Sequence, residues 1–183
     1  VSSRSREDPA SPASCSRVCG SNSAELAAGR PATYELVDLA DHELPLLDEP
    51  IPPSQGQYRN EHTKRWAELI ARYDGYVFIT PEYNRSTSGA LKNAIDYLYA
   101  EWNDKAAGFV GYGSIGGARA IEHLRGMCGE LQMADVRTAV NFLLATDFVD
   151  YRDFTPGDHH PPIAQDMFAQ VERWAGALKP LRG

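Results

Sequence analysis

The sequence predicts one α/β domain, with a parallel β-sheet covered by helices on both faces. Its 183 residues are enough for a single domain with a sizeable core. Short aromatic and β-branched segments alternate along the chain with longer amphipathic ones. Two of the short segments, Gly75–Thr80 (GYVFIT) and Ala107–Gly113 (AGFVGYG), are apolar almost throughout. Such segments are typical of strands that are buried on both faces.

Each predicted strand is followed by a predicted helix, in the order β-α-β-α-β-α-β-α. Asn60 is a candidate N-cap for the first helix. The strands are Thr33–Leu39, Gly75–Thr80, Ala107–Gly113 and Val136–Phe142; the helices are Glu61–Tyr73, Gly89–Tyr99, one from Gly116 and Gly117 to about Met127, and Ile163–Leu178. Asp41–Gln57, with four prolines, and Leu143–Pro162 are predicted loops.

Residues 1–31 differ in composition from the rest of the chain. They are rich in Ser, Pro and Arg, contain no aromatic residue and show no hydrophobic period. The segment is therefore predicted to be poorly ordered, apart from a helical turn within Ala24–Ala28. The folded domain is expected to span residues 32–183.

Composition excludes several classes of function. A net charge of −7 argues against a broad nucleic-acid surface, which needs clustered Lys and Arg. No apolar run is long enough to span a bilayer, and no signal peptide is evident. The sparse cysteines, Cys15, Cys19 and Cys128, indicate reduced thiols in a cytoplasmic protein. Cys15 and Cys19 could form half of a metal site, but no partner pair follows at zinc-finger spacing, so no metal is expected.

The loop after the second predicted strand is rich in groups that can bind a ring. Pro81 stiffens the turn, Tyr83 offers a flat face and Asn84 offers donors and acceptors. Ser86–Ser88 precede a helix N-terminus, where backbone N–H groups favour an anion or an electron-rich heterocycle. Ligands of parallel sheets bind at the carboxyl ends of the strands, where this loop lies. The alternative is an ordinary strand-to-helix connection.

The loop after the third predicted strand, Gly111–Ala118 (GYGSIGGA), matches G-x-G-x-x-G between a strand and a helix. This pattern is typical of dinucleotide-binding sites, but the acidic candidate Asp135 precedes the following strand instead of ending it. A second interpretation is that the glycines let the backbone approach a flat ring closely. A serine nucleophile at Ser114 is disfavoured because Tyr112 interrupts G-x-S-x-G.

The motif T-P-E-Y-N-x-S-x-x-G-x-L-K-N-A-I-D, Thr80 to Asp96, closely resembles the signature of NADPH-dependent FMN reductases. G-Y-G-S-I-G-G-A-R-A, followed by His123-Leu124-Arg125, resembles the family's second flavin loop and its helix. Tyr34–Glu49 also looks like this family. The resemblance covers roughly Tyr34 to Val140 and, more loosely, the last helix.

The resemblance implies a flavodoxin-like three-layer sandwich with strand order 2-1-3-4-5, non-covalent FMN, and NADPH or NADH as co-substrate. It implies hydride transfer through FMN to flavin, quinone, an azo dye or a metal oxyanion, in a homodimer or homotetramer. No catalytic residue is demanded, because the cofactor carries the electrons. By similarity, the flavin ring is lined by Pro81, Glu82, Tyr83 and Asn84, with Ser86 nearby, and is bordered by Tyr112, Gly113, Ser114, Gly116 and Gly117.

The sequence departs from this family at its N-terminus. The apolar first strand and the amphipathic helix that follows it are not recognisable there, and Ser2–Arg6 resemble only a remnant of the phosphate loop, with Ser3 and Arg4 as binding residues. One hypothesis is a truncated start, read in a different frame to about residue 23. This departure raises the alternative of a flavin-free remnant that acts by association. The glycine motif at Gly111–Ala118 keeps open a second alternative, a Rossmann-type NAD-binding protein.

Two further features have open interpretations. Arg119 and Arg125 either attract the phosphate of NADPH or are solvated helix charges. The pair His159-His160, beside Asp158, suggests a metal, but Pro161 and Pro162 follow, so a surface loop without a metal is predicted.

Overall fold

A computed structural model of the chain, which describes residues 26–27 and 29–182, contains a parallel three-stranded sheet. Its strands are β1 (Gly75–Pro81), β2 (Ala106–Gly113) and β3 (Ala134–Leu143), in the order β1-β2-β3. A small antiparallel pair, β4 (Phe148–Val149) and β5 (Asp153–Phe154), follows β3. The helices are α1 (Glu61–Ala71), α2 (Gly89–Asp96), α3 (Ala118–Glu130) and α4 (His160–Leu178).

The predicted α/β fold is confirmed, with three of the predicted strands and all four predicted helices in place. α2 ends at Asp96, before Tyr99, and a 3₁₀ turn follows at Ala100–Trp102. The predicted loop Asp41–Gln57 holds a 3₁₀ turn at Pro53–Gln55, and a second turn at Leu39–Asp41 overlaps its start. The predicted loop Leu143–Pro162 contains the β4–β5 pair and the first turn of α4.

The prediction of a strand at Thr33–Leu39 is wrong. The segment pairs with no strand in the described part of the chain, and Leu36 is 52% exposed. A strand is defined by its hydrogen-bonded neighbour, so a local pattern alone cannot make one. The neighbour that the resemblance supplies, the first strand, would belong to the N-terminal segment. Residues 1–25, including Ser3 and Arg4, lie outside the described residues.

Apolar side chains fill both faces of the sheet, and every residue of β2 is buried. On one face, Phe78 and Phe109 pack with Trp66 and Trp102, below the first three helices. On the other face, α4 lies so close to the sheet that a Cβ on Gly108 would be 2.8 Å from Val171 Cγ2. β2 is therefore the centre of the described sheet and of both core clusters.

The residues that precede the sheet pack on α4. Leu26 and Ala27 are helical, within the predicted turn, and Ala27 is buried. The Arg30 guanidinium donates to Glu172 at 2.7 Å, and the Tyr34 hydroxyl donates to the same carboxylate at 3.0 Å. Packed structure is thus present ahead of Ala32, the predicted start of the domain.

The strands begin at one edge of the sheet, which we call the amino edge and define by Gly75, Ala106 and Ala134. Charged side chains close this edge. The buried Lys105 ammonium donates to Ile70 O at 2.8 Å, to Ala71 O at 3.2 Å and to the Tyr76 hydroxyl at 3.0 Å, which satisfies the end of α1. Asp74 pairs with Lys179 at 2.8 Å and with Arg182.

Candidate functional site

The opposite edge of the sheet, which we call the carboxyl edge, holds the two loops predicted to bind a ligand. It is defined by the ends of the strands at Pro81, Gly113 and Leu143. The loops meet directly: Glu82 N–H donates to Tyr112 O at 2.9 Å. A Cβ placed on Gly113 would be 3.2 Å from Glu82 Cβ, so the first loop passes closely over the end of β2. The predicted residues from both loops therefore form one surface.

Glu82 ties this surface together through the N-terminus of α3. Its carboxylate accepts from the backbone N–H of Arg119 at 3.0 Å and from the Arg119 guanidinium at 2.8 Å. Gly117, at the N-cap position of α3, has no side chain to offer, so a carboxylate from the neighbouring loop caps the helix instead. Burial raises the pKa of Glu82, but the bonds from Arg119 outweigh it, so the pKa lies below its ordinary value.

Tyr83 to Ser86 form a tight turn closed by two backbone hydrogen bonds, each 2.9 Å long. Its central residues, Asn84 and Arg85, have φ values of 47° and 70°. Positive φ at both central positions defines a type I′ turn, in which Asn is favoured and a long side chain is strained. The turn holds Asn84 exposed at its tip.

Side chains on either side of this turn fix it to the protein. The Ser86 hydroxyl lies 2.9 Å from His123 Nδ1 on α3, and the hydroxyls of Thr80 and Thr87 are 2.7 Å apart in the interior. Ser88 caps α2 by accepting from Leu91 N–H at 3.2 Å. Because Ser88 and Glu82 already serve the two helix N-termini, these ends are occupied by the protein's own acceptors.

The glycine-rich loop is folded against its own strand. Gly116 and Gly117 have φ values of 69° and 71°, and a Cβ on Gly117 would be 2.7 Å from Tyr112 N. A Cβ on Gly111 would lie equally close, 2.7 Å, to Gly116 O. The close approach predicted for these glycines is therefore made first to the backbone of β2.

The outer rim of the carboxyl edge presents flat and apolar groups beside backbone donors. Tyr83 is 44% exposed, and Ile115 and Leu143 are each 39% exposed. Within the described residues, no backbone oxygen accepts from the N–H of Ser114 or Ile115. An aromatic face, apolar contacts and N–H donors that lack a backbone acceptor fit the isoalloxazine ring of FMN, whose edge is rich in acceptors.

The predicted site residues thus divide into two groups. Pro81, Glu82, Gly113, Gly116 and Gly117 are mostly buried and shape the loops, whereas Tyr83, Asn84 and Ser114 are exposed at the rim. Ser86 is half-buried beside them. The side chain of Tyr112 is buried in the core on the α4 side, so this residue reaches the rim only through its backbone.

The two arginines of α3 serve the structure. Arg119 holds Glu82, and Arg125 pairs with Asp135, donates to Val136 O at 2.7 Å and lies over the Phe109 ring at 4.9 Å. Neither is a freely solvated helix charge. Because Asp135 lies at the beginning of β3, on the amino edge, it cannot hold a ribose at the glycine loop, which disfavours the Rossmann alternative.

The prediction of a surface loop at His159-His160 is wrong for His160. This residue opens α4, where Pro161 and Pro162 are tolerated because the first helical N–H groups need no intrahelical acceptor. His160 is 3% exposed, while His159 remains on the surface. In the sequence, two prolines after the pair indicate a helix start as well as they indicate a loop.

Sequence reasoning missed the links from the first loop to α3. Arg119 and His123 are within the recognised motifs, but their partners Glu82 and Ser86 each lie 37 residues away. The available signal was chemical: a carboxylate in one loop and an uncapped, Gly-initiated helix in the next.

Comparison with known proteins gives a consistent result. The family model for NADPH-dependent FMN reductases matches residues 9–147. The match therefore begins within residues 1–31, the segment whose composition differs from the rest of the chain. A NAD(P)H-dependent FMN reductase from Nectria sp. is 40% identical over 151 residues, covering 78% of this chain and 73% of the relative. One from Schizosaccharomyces pombe is 44% identical over 116 residues, covering 62% of this chain and 58% of the relative.

Other relatives are matched over a smaller part. A quinone reductase from Pseudomonas putida is 39% identical over 98 residues, and the matched region spans half of each chain. Among solved structures, the flavoenzyme FerB, an NAD(P)H:(acceptor) oxidoreductase from Paracoccus denitrificans, superposes with a TM-score of 0.66 at 24% identity. The superposition covers 94% of this chain and 93% of FerB, which supports the assignment of the α/β fold. Among the described residues, no helix has both the length and the apolarity to cross a bilayer.

Proposed function

Because this chain belongs to the NADPH-dependent FMN reductase family, we propose that it is a flavoprotein oxidoreductase that passes a hydride from NAD(P)H through bound FMN to a small acceptor. The observation that supports this proposal is the meeting of the two loops at the carboxyl edge, where ring-binding groups lie beside N–H donors that have no backbone acceptor.

In this proposal, the exposed residues hold the ring and the buried ones hold the loops. Tyr83 and Asn84 contact the isoalloxazine from the first loop, and the backbone of Gly113 and Ser114 contacts it from the second. Pro81, Glu82, Gly116 and Gly117, with the backbone of Tyr112, fix the distance between the loops. Ser86 steadies the turn through His123, and Ser3 and Arg4, outside the described residues, bind the phosphate.

FMN, when bound, supplies the hydride chemistry, so the protein's task is binding and orientation. Glu82 brings a carboxyl group to this rim, and its bonds to Arg119 keep it ionised. It therefore positions the loops and does not donate a proton. Ile115 and Leu143 shield the ring from water on the side of the second loop.

The acceptor belongs to the class of small flat oxidants, such as free flavin, quinones or azo dyes, because they can stack where NAD(P)H stacks. We place the protein in the cytoplasm, in keeping with its sparse cysteines, and propose a homodimer or homotetramer that encloses the open rim. We assign the flavodoxin-like domain to residues 32–183, together with the packed turn before it.

The test is an absorbance spectrum of the purified protein after FMN is added and free flavin is removed by desalting. We expect retained flavin bands that bleach on addition of NADPH. Gly113→Leu should lose most of the flavin, because its side chain would press on Glu82. Gly126→Leu is the matched control, since a Cβ on Gly126 in α3 meets nothing within 4 Å. A wild-type protein that stays colourless would favour the flavin-free alternative, and undiminished flavin in Gly113→Leu would contradict the assignment of this loop.

A further inference from the structure

A cluster of potential metal ligands lies where β3, the β4–β5 pair and α4 come together. Asp147, His159 and His160 each offer a ligand atom, and these atoms lie within 4.8 Å of one another. Asp147 and His160 are 1% and 3% exposed, and His159 is on the surface. The cluster is therefore buried on one side and open to solvent on the other.

Asp147 is fully committed to holding this corner of the protein. Its carboxylate accepts from Leu143 N–H at 2.8 Å and lies 2.7 Å from His160 Nε2. Gly157 N–H also approaches this carboxylate, at 3.4 Å, so its oxygens serve as acceptors for several donors. An ionised carboxylate can only accept, so His160 Nε2 must carry the proton that is donated to it.

This arrangement leaves one ring nitrogen of His160 without a partner. With the proton on Nε2, Nδ1 carries a lone pair, and within the described residues this buried atom has no hydrogen-bond partner. An unsatisfied buried polar atom is costly in free energy. A carboxylate that fixes one imidazole nitrogen while the other faces a metal is the usual arrangement around metal-binding histidines.

His159 supplies the second ligand. Its ring centroid is 4.0 Å from that of His160, with an interplanar angle of 37°, so the exposed ring packs directly on the buried one. One of the His159 ring nitrogens is among the ligand atoms that lie within 4.8 Å of one another. Because His159 is exposed, its side chain can adjust to share an ion with His160. Solvent on the open side supplies the remaining ligands as water.

Charge decides whether a cation is tolerated here. The N-terminus of α4 contributes about half a positive charge, which opposes a cation. The ionised Asp147 carboxylate contributes a full negative charge at hydrogen-bond distance from His160, and the first helical N–H, that of His160, is already bonded to Gly157 O at 3.1 Å. The net local field therefore favours a cation.

We propose that His159 and His160 bind a divalent transition-metal ion of the imidazole-preferring class, such as Co²⁺, Ni²⁺ or Zn²⁺, with Asp147 as the positioning carboxylate. The ion joins His159 to His160 at the start of α4, and the hydrogen bond from His160 to Asp147 connects it to the corner after β3. It lies outside the ring-binding rim, although Leu144 N–H donates to Gly113 O at 3.1 Å and connects the two regions. Its role is to stabilise this corner.

The experiment is a titration of untagged full-length protein with Co²⁺, followed by the visible absorbance of the bound ion and by the thermal midpoint. We expect one ion per chain and a raised midpoint. His159→Ala, a surface change that leaves Asp147 and His160 in place, should abolish both responses. Asp147→Asn should weaken binding roughly 10- to 100-fold.

His62→Ala is the matched control, because His62 Nε2 pairs with Asp48 at 2.9 Å as His160 pairs with Asp147, but it belongs to no cluster of three donors among the described residues. It should bind Co²⁺ as the wild type does. Absence of binding in the wild type overturns the proposal, and so does binding that survives in His159→Ala. Strong near-ultraviolet charge-transfer absorption would identify thiolate ligands, such as Cys15 and Cys19, and would equally overturn it.

Discussion

The two edges of the sheet are built from similar residues and used differently. At the amino edge, Lys105 and Asp74 direct their charges to partners within the protein, and each contact closes a strand or helix end. At the carboxyl edge, Glu82 does the same, but Tyr83 and Asn84 are exposed on a turn with positive φ angles. One edge is closed by contacts within the protein, and the other leaves an exposed surface, which is where we propose that flavin binds.

Because the two edges differ in this way, substitutions at each edge should affect different properties of the protein. Changes at the amino edge should lower the free energy of unfolding and spare flavin retention. Changes at the carboxyl edge should affect flavin retention more than stability.

The largest effect is expected for Lys105→Met. Three oxygen acceptors lose a charged donor, so the free energy of unfolding should fall by about 3 kcal/mol in a urea titration. The flavin content of the folded protein should not change. Lys92→Met, which removes an exposed pair with Asp96, should cost less than about 0.5 kcal/mol. Equal losses in the two variants would refute the structural role of Lys105.

Lys105 should also make the free energy of unfolding depend on pH. Burial lowers the pKa of Lys105 from 10.5 to about 8. Between these values the unfolded chain holds more protons than the folded one, so this group adds stability as pH rises. The difference in unfolding free energy between wild type and Lys105→Met should therefore grow from pH 8 to pH 10.5. A difference that is flat or shrinks over this window would contradict the direction of the shift.

A smaller effect, on binding, is expected for Glu82→Gln. The amide keeps the shape but loses the charge-assisted bonds to Arg119, so the two loops are held less firmly. We expect the dissociation constant for FMN, measured by flavin fluorescence, to rise about tenfold, equivalent to about 1.4 kcal/mol. Glu68→Gln, an exposed change on α1, should leave it unchanged. Weaker FMN binding in both variants would show that the net charge matters, and not the contact between Glu82 and Arg119.

The smallest expected effect is an increase in stability. Arg85 occupies the second central position of the type I′ turn with a φ of 70°, where glycine is preferred. Arg85→Gly should raise the free energy of unfolding by about 0.5–1 kcal/mol. Arg65→Gly, in the interior of α1, should lower it by about 1 kcal/mol. Destabilisation by both would show that the turn is not strained.

The sequence predicted elements whose cause is local. β2 was placed within one residue, because its continuous apolar pattern directly reflects burial on both faces. Thr33–Leu39 failed because its partner strand, and not its own residues, decides whether it is a strand. The end of α2 was also missed, since nothing local to Asp96 marks a helix end.

For the candidate site, too, the sequence predicted local features and missed contacts between distant residues. The motifs located the two loops but not the contact that joins them, because Glu82 and Arg119 are separated along the chain by α2 and β2. Likewise, the pairing of His160 with Asp147 crosses the β4–β5 pair, and the sequence shows only two adjacent histidines and two prolines.

The packing of Gly117 on the backbone of Tyr112 has a consequence for the kinetics of binding. A loop already fixed by internal contacts loses little conformational entropy when a ligand arrives. Flavin should therefore associate in a single kinetic phase, without a slow loop-closing step, and differences in affinity among variants of this rim should appear in the rate of release.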